Sequence, residues 1–269
     1  MVKLPRNALA LPIFFALATS ASCVVGIFDD DSGALNDNRF EAAVNFSFEV
    51  PVQARSRIRV DAVNGLIELQ SEPGVSVITI TGRKLVGAES SAAAQQRLGD
   101  LRVVVDEFQN EVVVRTDQPR NTNGRRYEVD YAIVVPEDFR VDLDQTNGTI
   151  DVWGPLRDVE ATNVNGAVDI RGMDEGVDVT VVNGRIDADM VRVGDDLSLT
   201  ATNGNVALRI PTTSSAELAA QVVNGSITVN GLSLSGQVVT QRSLRGTLGG
   251  GLYSIALTTV NGNITISAN

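Results

Sequence analysis

This sequence predicts an all-β fold: a parallel β-solenoid (β-helix-like) of about seven short coils, preceded by an irregular amino-terminal β region with one helix. Three observations predict it. Asn-Gly recurs at Asn147-Gly148, Asn165-Gly166, Asn183-Gly184, Asn203-Gly204 and Asn224-Gly225, with spacings of 18, 18, 20 and 21 residues, and again at Asn261-Gly262; repetition at such a period marks stacked structural units. Apolar and polar residues alternate on both sides of each dipeptide, which is the period of a strand with one buried face. The 269 residues include 24 glycines and only 4% aromatics, a composition of strands punctuated by tight turns.

The elements follow in chain order. Lys3 and Arg6 precede an apolar run, Ala8 to Ala18, that ends in the small residues Thr19 to Ser22, so residues 1–22 read as an export signal. That run is well short of the ~20 residues that span a bilayer, and Pro12 interrupts it. Cys23, the only cysteine, stands directly after Ser20-Ala21-Ser22. The arrangement resembles a bacterial lipobox, whose cysteine becomes an acylated first residue, although Ser20 occupies the place of the usual leucine. The alternative is ordinary signal-peptidase cleavage near Ser22. Residues 23–43, with Asp29, Asp30, Asp31 and Asp37, then form a lipid-anchored acidic tether, and residues 44–269 form the solenoid domain.

In the amino-terminal half, Phe46, Phe48, Val50 and Val52 alternate, and Ile58, Val60 and Ala62 lead through Asn64-Gly65 to Ile67 and Leu69. Glu89 to Leu101 is the one helix candidate, rich in Ala and Gln. Val103 to Val105 and Val112 to Val114 make a hairpin, and Tyr127 to Val135 reads as a strand stopped by Pro136.

Within the repeat, Val141, Val159, Val177, Leu197, Leu218 and Ile255 stand six positions before Asn, and Ile150, Val168, Ile186, Val206, Ile227 and Ile264 three positions after it. Both columns face inward. Asn-Gly suits either a meander of hairpins or a solenoid, since glycine accepts positive φ. Column identity over the copies favours the solenoid, where equivalent residues stack about 4.8 Å apart. Leu244 to Leu248 matches the pattern as a degenerate copy, giving seven in succession from Asn147. The last coil then ends the stack uncovered, a surface for self-association.

With no histidine and one cysteine, histidine catalysis, histidine metal ligation and intrachain disulfides are excluded. A formal charge of −11 argues against nucleic acid. Asp151, Asp169 and Asp187 form one outward column, a candidate strip for a weakly held cation or cationic ligand. The competing reading is a solvated face balanced by Arg157, Arg171 and Arg185, since no compact calcium-loop spacing is present. Trp153 is placed on an outward column, either as a platform for a sugar ring or, as the sequence favours, beneath the amino-terminal strands. No catalytic residue, metal or cofactor is expected.

The runs FSFEVP (Phe46 to Pro51), VNGLIEL (Val63 to Leu69) and YEVDYAIVVP (Tyr127 to Pro136), the Ala-rich helix and the serial VNG or TNG units together resemble the bacterial putative-adhesin domain family of unknown function, related to the head GIN domain group. The resemblance implies a β-solenoid on an exported, often membrane-linked protein. It brings no catalytic residues. The expectation is a non-enzymatic envelope lipoprotein, periplasmic or surface-facing, that binds an envelope protein or glycan and meets the membrane through its lipid. An envelope-stress scaffold acting through a protein partner and a polysaccharide-active enzyme are the alternatives.

Overall fold

The computed structural model describes residues 24–27 and 38–269; Cys23 and the export signal lie outside the described residues. Each Asn-Gly corner joins two extended segments, within one long strand at Asn64 and Asn147 and between two strands at the other corners. Alternation sends every second side chain of both into one interior, and a shared corner lets successive units stack in register.

In chain order, β1 (Val24–Ile27), β2 (Phe40–Pro51), β3 (Arg57–Glu72) and β4 (Val77–Ala88) precede helix α1 (Ser91–Arg97), which Ser90 caps by accepting the Ala93 N–H. A 3₁₀ turn, Leu98–Asp100, continues the helix. Then come β5 (Arg102–Glu107), β6 (Glu111–Asp117), β7 (Tyr127–Pro136), β8 (Arg140–Trp153), β9 (Asp158–Asn165), β10 (Val168–Met173) and β11 (Gly176–Asn183). The chain continues through β12 (Ile186–Met190), β13 (Leu197–Asn203), β14 (Val206–Ile210), β15 (Ala216–Asn224) and β16 (Ile227–Asn230). It ends with β17 (Ser235–Val239), β18 (Ser243–Leu248), β19 (Tyr253–Asn261) and β20 (Ile264–Ala268).

These strands make a β-solenoid with two arms. On the first arm β6, β3, β8, β9, β11, β13, β19 and β15 run parallel in that order. On the second arm the parallel order is β7, β3, β8, β10, β12, β14, β20 and β16. Antiparallel strands flank both ends: β4, β2 and β1 beyond β7, β5 beyond β6, and β18 then β17 beyond β15. The interior column Ile58, Val141, Val159, Val177, Leu197, Ile255 and Leu218 is at most 2% exposed throughout. Each such aliphatic side chain contributes about 1.5–3 kcal/mol on burial.

Asparagines form a continuous amide ladder at the corner. Asn224 donates to Asn261, Asn261 to Asn203, Asn203 to Asn183, Asn183 to Asn165, Asn165 to Asn147 and Asn147 to Asn64, all through Nδ2 to Oδ1 at 2.7–2.9 Å. Asn64 closes the row by donating to the Tyr127 carbonyl at 2.8 Å. Beside it the glycines approach backbone to backbone. A Cβ on Gly148, Gly166, Gly184 or Gly225 would lie 1.8 Å from the carbonyl oxygen of the neighbouring rung's glycine.

The structure corrects two expectations. Leu244 to Leu248 is not a coil, because β18 pairs antiparallel with β15; the seventh rung is instead supplied by Asn64, whose strand β3 matches β8 residue for residue from Arg57 to Gln70. The carboxyl-terminal coil is not the end of the stack. It is inserted, with β19 between β13 and β15 and β20 between β14 and β16, so both of its edges are paired. Positive φ is shared by Gly65, Gly148, Gly166, Gly184, Gly225 and Gly262, as the sequence suggested; Gly204 lies outside that region, yet a Cβ there would sit 1.4 Å from the Gly184 oxygen. Of the stretch read as a tether, Val24 to Ile27 form β1 and pair with Phe40 to Ala43 of β2, while Asp29, Asp30, Asp31 and Asp37 lie outside the described residues.

Candidate binding face

On the second arm the side chains that point away from the core form ranks across the coils. Register places Glu68, Asp151, Asp169 and Asp187 in one rank, and Gln70, Trp153, Arg171, Asp189 and Arg209 in the next. Like charges about 4.8 Å apart repel by about 0.9 kcal/mol even in water, so such a rank needs counter-charge. Arginines supply it. Arg185 grips Asp169 through two bonds of 2.6 and 2.8 Å, and Asp169 is only 4% exposed. Arg209 reaches Asp187 at 2.6 Å and Asp189 at 3.3 Å. Two carboxylates of the proposed cation strip are therefore occupied by guanidinium groups, and among the described residues no group of three or more carboxylates or cysteines is placed to hold a metal. Arg171 and Arg185 share in the balance as the sequence suggested, whereas Arg157 makes no ion pair among the described residues.

Asp151 differs. Among the described residues no arginine lies within ion-pair distance of it, and loss of solvent followed by the neighbouring Asp169 charge raises its pKa, against the pull of Arg171.

Trp153 stands next to Asp151 and is 49% exposed. The amino-terminal strands flank it without covering it. The Arg171 guanidinium carbon lies 4.7 Å from the ring centroid, a cation–π contact that fixes the indole. Beside it is a shallow depression of about 370 Å³ lined by Glu68, Gln70, Thr81, Ala132, Val134 and Trp153. Small Ala132 leaves the hollow, and β7 brings it there by pairing with β3, opposite Glu68. Gln70 Nε2 donates to Glu72 at 2.8 Å and the Thr81 hydroxyl to the Ala132 carbonyl at 3.1 Å, so the rim offers a ring face for stacking and oxygen acceptors for hydroxyl groups. The sequence pointed to Trp153 but not to its neighbours, because Ala132 and Thr81 reach it only through long-range pairing of β4, β7 and β3.

Comparison with known proteins agrees with the architecture. The family model for Toastrack DUF4097 matches residues 49–267. The chain belongs to the Toastrack DUF4097 family. The solved structures to which the Toastrack chain is similar include the following two. A putative cell adhesion protein from Clostridium sporogenes is 12% identical, with 84% of this chain and 99% of that chain covered and a TM-score of 0.47. A putative adhesin from Bacteroides fragilis is 13% identical, covering 84% and 97% at a TM-score of 0.39. No curated protein sequence matches the chain. Among the described residues of the Toastrack chain, no helix is long and apolar enough to cross a membrane.

Proposed function

We propose that the chain is a non-enzymatic, exported envelope lipoprotein that binds a glycan through the outward face of its second arm. The half-exposed Trp153, fixed by Arg171 beside the hollow of Glu68, Gln70, Thr81 and Ala132, carries this reading. The adhesion named for two similar structures is compatible with such a face.

Trp153 is the only tryptophan, so fluorescence excited beyond the absorption of the three tyrosines reports this site alone. Titration with soluble peptidoglycan fragments and with chitin oligosaccharides should shift the emission and saturate. Trp153→Ala should abolish binding measured by calorimetry, with the melting temperature unchanged. An emission indifferent to every sugar, or calorimetric binding retained by Trp153→Ala, would reject the glycan site.

The envelope address rests on the apolar run and on Cys23 behind Ser20-Ala21-Ser22. A fatty-acid analogue supplied to cells should label the wild type and not Cys23→Ser; an unlabelled, soluble wild type would remove the lipid anchor.

A further inference from the structure

From Pro211 to Asn269 the chain has only three charged side chains, Glu217, Arg242 and Arg245, although its formal charge is −11 overall. The outermost rung at this end of the stack is formed by β15 and β16. Strand β18 covers β15, but β16 pairs only with β20 among the described residues. Its inward Ile227 and Val229 are only partly buried, unlike Ile264 and Ile266 one rung below.

Sheet edges are normally blunted by charge, proline or a bulge. Those devices stand on the other edges. β5 carries Arg102, Asp106 and Glu107, the free part of β2 carries Glu49 and Pro51, and the register of β17 shifts between Ser235 and Val238. The edge from Asn224 to Asn230 has none of them.

Backbone geometry defines what fits. The carbonyls of Asn224 and Ser226 accept from Gly262 and Ile264, so these positions face the stack. By alternation the N–H and C=O groups of Gly225, Ile227 and Val229 face outward. These three positions are symmetric about Ile227.

We infer that this edge pairs with the same edge of a second copy, antiparallel, with Ile227 opposite the partner's Ile227. In that register Gly225 faces the partner's Val229 and each pair exchanges both bonds, so every outward group is used. Ser226, whose hydroxyl donates to Asn263 Oδ1 at 2.9 Å, meets the partner's Thr228 and accepts from its hydroxyl. Asn224, whose Nδ2 is spent on Asn261, offers its Oδ1 toward the partner's Asn230. Head-to-tail stacking is denied, because the opposite end of the ladder is closed by the Asn64 bond to Tyr127 and Val129 lies against Gly65. The assembly is thus a closed two-fold dimer. Two strongly acidic bodies meet with least repulsion through their nearly uncharged ends.

Sedimentation velocity of the full chain over a concentration series should show monomer passing into dimer. Thr228→Lys places lysine at an exposed outward position and sets like charges on both sides of the two-fold; it should raise the dissociation constant about tenfold or more. Thr180→Lys, the same change on the outer face of the first arm, should leave the dimer intact, and equal melting temperatures of the two variants would show both folded. In a Cys23→Ser background, mixed Ser226→Cys and Thr228→Cys chains should cross-link to each other under oxidation. A wild type that stays monomeric at every concentration, a dimer unchanged by Thr228→Lys, or the absence of the mixed cross-link would overturn the proposal.

Discussion

Asp151 shows how the environment of one carboxylate decides its effect on stability. Its column mates Asp169 and Asp187 are paired with Arg185 and Arg209, while loss of solvent and the Asp169 charge raise the Asp151 pKa. A pKa raised by folding means that the folded chain holds the proton more tightly than the unfolded one, so this group opposes folding when ionised, and the opposition fades as pH falls through the raised value. Asp151→Asn should therefore melt above the wild type at neutral pH, and the difference should shrink as pH approaches the ordinary carboxylate value of 3.8. Equal melting curves at neutral pH would show that Asp151 is relieved by solvent. The acidic column itself was readable from the 18-residue spacing. Which members found arginines was not, since Arg185 and Arg209 reach Asp169 and Asp187 across coils, at separations of 16 and 22 residues.

At the scale of the repeated element, the Asn-Gly corner demands glycine twice over, for positive φ at every corner but Gly204 and for backbone contact between rungs. Gly184→Ala must push the Gly166 carbonyl aside, at a cost of about 2–4 kcal/mol. Gly99→Ala meets nothing within 4 Å and should change stability by no more than about 0.5 kcal/mol. Denaturant titration of both variants checks the contrast, and equal midpoints would show that the corner yields. The alternating columns and the corner were plain in the sequence because every coil repeats them. The order of the coils was hidden for the same reason: Leu197, Leu218 and Ile255 are interchangeable in a column, so alternation cannot tell which stacks on which. Leu244, Gly246 and Leu248 likewise follow the same alternation in an antiparallel strand as in a coil.

Over the whole molecule, charge is unevenly placed, with the acidic ranks in the early and middle coils and a nearly uncharged end beyond Pro211. A glycan face on the second arm and a self-pairing edge at that end would use different parts of one stack. The stack, however, is not laid down in the order in which the chain is made. Ala216 to Asn230 leaves the ribosome before Tyr253 to Ala268, yet it occupies the rung beyond it. Before Tyr253 to Ala268 join, β13 and β14 present parallel edges, and β15 and β16 share the alternation of the strands β19 and β20 that pair there. Simple zipping from the amino terminus would join those rungs directly and shut the last coil out. Maturation therefore requires the outer rung to wait, or to part again, until Gly249, Gly250 and Gly251 have turned the chain back. β19 and β20 act as a latecomer that completes a gap between rungs laid down earlier in the chain.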